Sequence, residues 1–276
     1  APGLRDVCAA VTAGHHLLLS HGLAVPRLRA LTRPTAQVGI TLNLYPVYAA
    51  DDRPETARAM QQADDFLNRW FLEPLYCGRY PDHLFADLGV AEPPVEAGDL
   101  AVISAPTDFL GVNYYSRRVV RARPVGSPRG PWSPSGYEEV SAIPGASYTQ
   151  MGMGWEVYPQ GLTDLLVRLK EDYAPPALLV TENGAAYEDH WDGNGLVSDP
   201  QRLEYVRGHV QAIAQAIAEG VPLRGYMVWS LLDNFEWGEG YSKRFGVVYV
   251  DFPTQRRIMK ESGRWYAALV KAHRQG

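Results

Sequence analysis

The stretch Ala177 to Gly184, ALLVTENG, constrains this chain most. Leu178, Leu179, Val180 and Thr181 form an apolar, β-branched run with no polar alternation, as expected of a strand buried on both faces in a parallel sheet. Asn183-Gly184 breaks the run at once. Glu182 is thereby delivered to the C-terminal tip of a buried parallel strand, where α/β barrels place their chemistry. A solvated glutamate at a loop mouth is the competing reading.

A second segment bears on that choice. Gly225 to Leu232 is another apolar run, broken by Asp233-Asn234. Glu236 then sits between Phe235 and Trp237, with Trp229 seven residues earlier and Tyr241 and Phe245 following. A carboxylate among indoles is costly in a core unless it is partnered. It suits a sugar site, where indole faces stack on the apolar faces of pyranose rings while carboxylates and indole N–H groups take the hydroxyls. An aromatic core cluster with one paired glutamate is the alternative.

These segments carry a family resemblance. TENG at 181–184, VWSLLDNFEW at 228–237 and GYSKRFG at 240–246 resemble glycoside hydrolase family 1, the retaining β-glucosidases. DFLGVNYYS at 108–116, GWEVYPQGL at 154–162 and HHLLLSHGLAV at 15–25 fit the same pattern in the same order, so that the resemblance runs to Tyr266. It implies an α/β fold, the (β/α)8 TIM barrel, of which this chain supplies roughly strands five to eight with their helices. Residues 1–276 would then be the C-terminal half of one catalytic domain, opening at Ala1-Pro2-Gly3 shortly after the family's strand-four motif.

The pattern along the chain agrees with four strand–helix units. It predicts strands over Gln37–Leu44, Thr107–Tyr115, Ala177–Glu182 and Leu223–Leu231. Helices are predicted over Arg5–Leu31 (interrupted near Gly22 and Pro26), Pro54–Leu75, Gln160–Tyr173, Gln201–Glu219 and Ser262–Arg274. Ser198-Asp199-Pro200 reads as a cap followed by a first-turn proline, and Gly220 as a stop. Ala122 to Gly154, rich in Pro, Gly and Ser, reads as a long loop. Glu138-Glu139 is expected to be a solvated part of it, and Asp189 to Asn194 a surface loop. Four such strands leave two unpaired sheet edges, so a preceding half-barrel is the expected partner.

Retaining hydrolysis needs two carboxyl groups roughly 5–5.5 Å apart. The resemblance makes Glu182 the nucleophile and Tyr115 the phenol that orients it. Glu236 takes sugar hydroxyls, Trp229 floors the glycone ring, Trp155 walls the aglycone side, and Trp237, Phe245 and Asn113 complete the binding pocket. The family's acid/base lies in an Asn-Glu-Pro motif after strand four, and no Asn-Glu-Pro occurs in these 276 residues. The chain alone is therefore expected to be inactive. In the family's phospho-glycosidase branch the position of Glu236 is not acidic, since a carboxylate there would repel a sugar phosphate. The implied substrate is an unphosphorylated β-D-glucoside, cellobiose-like or another hexoside. A sugar-binding or partner-binding half-barrel without catalysis is the alternative from a different class.

Composition excludes other classes. A net charge of −5 gives no basic footprint for nucleic acid, and no apolar run approaches a membrane span. Cys8 and Cys77 fit no metal or disulfide spacing, which favours a reducing cytoplasm, although a secreted product after signal removal reads the same. His16 and His21, five apart, face different sides of their helix, and the resemblance gives that helix no metal role. No cofactor and no metal are implied.

Overall fold

The computed structural model describes residues 4–124, 126–127, 136–149 and 153–273. Arg274, Ala1-Pro2-Gly3 and residues 125, 128–135 and 150–152 of the expected long loop lie outside the described residues. The elements are α1 (Val7–Leu31), β1 (Gly39–Asn43), β2 (Val47–Ala49), α2 (Pro54–Asp64), α3 (Trp70–Cys77), α4 (Leu84–Leu88), α5 (Asp99–Ile103), β3 (Phe109–Asn113), β4 (Arg118–Ala122), β5 (Tyr137–Glu139), α6 (Pro159–Tyr173), β6 (Leu178–Glu182), α7 (Pro200–Ala218), β7 (Leu223–Tyr226), β8 (Val248–Asp251), β9 (Arg256–Met259) and α8 (Glu261–His273). Among the described residues no helix is long and apolar enough to cross a membrane. The chain divides into two compact units.

The first unit comprises Ala1–Gly111, Arg117–Ile143 and Arg168–Ala177. Here β1 neighbours the start of β3, with the Asp108 N–H donating to the Val38 carbonyl. Helix α1 is not interrupted as the sequence suggests: it runs unbroken through Pro26, which lies on its exposed side. Gly22 serves packing instead, because a Cβ there would stand 2.1 Å from the Val102 carbonyl oxygen of α5. His15, also on α1, is buried and bonded through its two ring nitrogens to the Tyr80 hydroxyl and the Asp99 carboxylate.

The expected helix from Pro54 continues to Cys77, but it contains a π-helical turn over Asp65–Arg69. That extra residue turns Asn68 toward the loop after β1, where its amide accepts from Tyr45 N–H and donates to the Tyr45 carbonyl. The unit also holds a three-stranded sheet that the sequence reading missed: β4 pairs in parallel with β2 and antiparallel with β5. Glu138 and Glu139 are therefore not a solvated loop. They lie on β5, where Glu138 accepts from Arg121 Nε at 2.6 Å and Glu139 lies 3.5 Å from Arg118.

The second unit comprises Val112–Ser116, Pro144–Val167 and Leu178–Gly276. The end of β3 neighbours β6, with the Tyr114 N–H donating to the Glu182 carbonyl, and β6 pairs in parallel with β7. The ladder of β7 ends at Tyr226, short of the predicted Leu231. Beyond it single bonds continue the pairing, from Met227 N to Val180 O and from Trp229 N to Asn183 O. An antiparallel hairpin of β8 and β9 precedes α8. Ala185, Tyr187, Tyr205 and Val206 form a core, against which Tyr226, Val228, Trp265 and Tyr266 pack.

Around this core lies a charge network. Arg202, at the start of α7, donates to both oxygens of Asp189 at 2.8 Å and to Asp199 at 2.7 Å. Lys260, just before α8, reaches Asp189 at 2.6 Å and Asp233 at 2.9 Å, and Arg244 reaches Asp233 at 2.7 Å. Asp189, expected on a surface loop, is thus buried, whereas His190 and Asp192 beyond it are exposed. Asp199 does precede α7 and Pro200 does occupy its first turn, but the carboxylate makes no cap bond to its own helix. It accepts instead from the Ser262 N–H at 2.8 Å, joining the N-termini of α7 and α8. Gly220 ends α7 as expected, at φ +82°.

Removing one partner strands buried charge. Lys260→Met is expected to cost roughly 3–5 kcal/mol in denaturant unfolding, because three buried carboxylates would be left with two cations.

Candidate active site

Each sequence-predicted site residue lies in the second unit. Glu182 is the last residue of β6, and its Oε2 accepts a 2.5 Å hydrogen bond from the Tyr115 hydroxyl. The stop after Glu182 is not a simple turn. Gly184 carries no left-handed φ; a Cβ there would stand 1.8 Å from the Trp229 carbonyl oxygen, so glycine is required by the approach of another backbone. Asn183 is wholly buried and fully used as a cross-link (below).

Tyr115, which bonds the carboxylate, is one of three neighbouring rings. Tyr115 and Trp155 have centroids 5.1 Å apart, Trp155 and Phe245 6.0 Å, and Tyr115 and Phe245 6.4 Å. Phe245 is buried at 3% exposure. Trp155 is held by backbone pairing with Thr149, whose N–H donates to the Trp155 carbonyl at 2.8 Å and whose hydroxyl accepts from the Trp155 N–H at 3.0 Å. Asn113, on β3, accepts at Oδ1 from the Thr181 hydroxyl at 2.7 Å.

Glu236 is half-buried and its carboxylate accepts from the Trp229 side chain. Burial pushes its pKa up; the negative charges of Glu182 and Glu239 add to that, and the Trp229 hydrogen bond opposes it. The coupling places Glu182 and Glu236 within electrostatic reach of each other. Trp237 is not gathered in with the rest: it is 81% exposed, at φ +42° on a short 310 turn. Phe235 and Tyr241, both exposed, meet edge to face at 5.6 Å beside it.

The sequence reading missed the support behind this site. Tyr205 and His209, four apart on α7, stack at 4.0 Å, and burial lowers the His209 pKa to about 4. Tyr226 donates to the Asn183 side chain. In sequence these are ordinary core aromatics at helical or strand spacing, with no local signal to set them apart.

The second unit thus brings together a strand-tip carboxylate held by a phenol, a second carboxylate within electrostatic reach and a set of rings. The sequence matches glycosyl hydrolase family 1 over residues 1–275, and the chain belongs to that family. It is 39% identical over 274 residues to β-glucosidase A of Acetivibrio thermocellus, covering 98% of this chain and 59% of that protein. Its fold resembles the crystal structure of the family 1 β-glucosidase of Exiguobacterium antarcticum B7, with a TM-score of 0.91 and 42% identity, covering 100% of this chain and 60% of that one. The β-glucosidase of Thermotoga maritima in complex with glucoimidazole is similar at TM-score 0.89 and 41% identity, with 98% of this chain and 59% of that one covered. The chain thus carries part of a (β/α)8 barrel and spans about 60% of the length of these relatives.

The raised pKa of Glu236 has a consequence for stability. A carboxyl whose folded-state pKa exceeds its unfolded value withdraws stability as pH rises through the interval between the two. Glu236→Gln removes that loss. Denaturant unfolding should therefore show the variant gaining on the parent as pH rises out of the ordinary carboxyl range, with the curves converging below that range.

Proposed function

We propose that this chain is the C-terminal part of a single-domain retaining β-glucosidase, with Glu182 as nucleophile and an unphosphorylated β-D-glucoside, such as a cellobiose-like molecule, as substrate. The observation that carries the reading is the 2.5 Å bond from the Tyr115 hydroxyl to Glu182 Oε2. It holds one carboxylate oxygen and leaves the other to attack C1 of the sugar. In the first step a C1–O bond to Glu182 forms, while the bond to the aglycone oxygen breaks and that oxygen takes a proton from the acid/base. In the second step water, deprotonated by the same group, displaces Glu182 from C1.

Glu236 and Trp229 bind the hydroxyls and apolar face of the glycone, with Asn113 and Phe245 lining the pocket, Trp155 beside the aglycone and Trp237 contributing from its exposed turn. The carboxylate of Glu236 accepts hydrogen bonds from sugar hydroxyls and, when ionised, repels a phosphate dianion. That the Thermotoga relative forms a complex with glucoimidazole supports a glucose-shaped ligand. The proton donor is a glutamate of a preceding half-barrel, which pairs with the sheet edges; without it the 276 residues do not turn over substrate. Kinship with β-glucosidases supports this over a purely binding half-barrel. The exposed free thiols of Cys8 and Cys77 suit a reducing cytoplasm.

The test uses the full-length enzyme. Glu182→Ala should lower kcat by about 10⁴-fold or more, and added azide should restore turnover by taking the vacated place, giving the α-glucosyl azide. Ordinary activity in that variant would remove Glu182 from the role.

A further inference from the structure

Asn183 follows Glu182 and is wholly buried. Its Nδ2 donates to the Tyr114 carbonyl at 2.8 Å and to the Tyr205 hydroxyl at 3.0 Å, while its Oδ1 accepts from the Tyr226 hydroxyl at 2.9 Å. Both amide hydrogens are used, which fixes the orientation of the amide. The Tyr205 hydroxyl accepts from Asn183 and gives its single hydrogen to the Tyr115 carbonyl at 3.2 Å. A closed ring of bonds results. It runs from Glu182 along the backbone to Asn183, through the Tyr205 hydroxyl to Tyr115, and through the Tyr115 phenol back to Glu182 Oε2.

We propose that Tyr205 is a positioning residue for the nucleophile, holding Glu182 and Tyr115 in register from α7 through one phenol oxygen; this rests on Glu182 being the nucleophile. Phenylalanine would fill the same core space, so packing does not account for the hydroxyl. The hydroxyl is buried and would be costly without partners, yet it has two, one on each side of the Glu182–Tyr115 bond. The ring itself is fixed: His209 stacks on it at 4.0 Å and donates from Nδ1 to the Tyr205 carbonyl at 2.7 Å. His209 is neutral over the working range and adds no charge behind the carboxylate.

The probe is 2,4-dinitrophenyl 2-deoxy-2-fluoro-β-D-glucoside, applied to the full-length enzyme. Glu182 forms the bond to C1 as dinitrophenolate leaves with the electron pair of the broken C–O bond. No proton is needed, so labelling reads the nucleophile without the acid/base, and the slowly hydrolysed ester is followed by intact mass. Tyr205→Phe is expected to lower the saturating labelling rate about tenfold, since small misplacements of a reacting group are costly. The half-saturating concentration should change by less than about twofold, because ground-state binding is untouched.

Labelling of Tyr205→Phe at the parent rate, or a loss confined to the half-saturating concentration, overturns the proposal. Should that variant not fold, Tyr226→Phe decides: it frees Asn183 Oδ1 and should slow the same rate by a smaller factor, whereas a lowered melting temperature with parent-rate labelling contradicts the positioning role. Peptide mapping separates the two levels of the reading. A label on another residue refutes Glu182 as nucleophile, while a label on Glu182 at unchanged rate refutes only the role of Tyr205.

Discussion

Three aspartates and three cations, set in alternation inside the second unit, are the constraint on which its site depends. Asp189, Asp199 and Asp233 face Arg202, Lys260 and Arg244, and apart from Arg244, at 17% side-chain exposure, these side chains are within 1% of complete burial. Isolated charges at that depth would be prohibitive, and the group is tolerable because the signs balance and the oxygens are multiply bonded. Burial and the nearby Arg202 charge lower the Lys260 pKa, while Asp233 and Asp189 oppose that shift. The network joins the stretch after β6, the start of α7, the stretch after β7 and the start of α8. Those are the segments that flank Glu182 and carry Glu236 and Phe245.

Asp233 shows how this reaches the segment that carries Glu236 and Phe245. Its carboxylate accepts from the Gly246 N–H at 3.0 Å and the Val250 N–H at 3.3 Å, in addition to the two cations. The segment bearing Glu236, Trp237 and Phe245 leaves the core at Asp233 and returns at Gly246, so one carboxylate ties its two ends. Gly246 must be glycine for that closure, because a Cβ would lie 2.2 Å from the Asp233 nitrogen. The same logic placed Gly184 against Trp229. In both cases a missing side chain lets two backbones meet.

Much of this was legible in the sequence, and the reasons are specific. The apolar run 178–181 and its carboxylate were readable as a strand, and the motif order supplied the family. Its burial was not: Leu178 and Val180 are buried while Leu179 and Thr181 are half-buried, so one face of β6 is less covered than the unbroken apolar run suggested. Helices α6, α7 and α8 started within a residue or so of expectation, since Pro159, Pro200 and the following apolar spacing are local signals. The β2–β4–β5 sheet was invisible because β2 and β5 span three residues each and β5 borders a Pro- and Gly-rich stretch. The charge network could not be read because its members lie up to 71 positions apart, as Asp189 and Lys260 do. Asn183 looked like a turn residue, and only the fold shows its amide spent on three different segments.

The account rests on double displacement at C1 by Glu182, and the stereochemistry of the wild-type reaction tests that most directly. Proton NMR of the full-length enzyme acting on an aryl β-D-glucoside, recorded before the product mutarotates, should show β-D-glucose forming first. Initial appearance of the α-anomer would mean a single displacement by water, and the arrangement of Glu182 and Tyr115 would then need a different explanation.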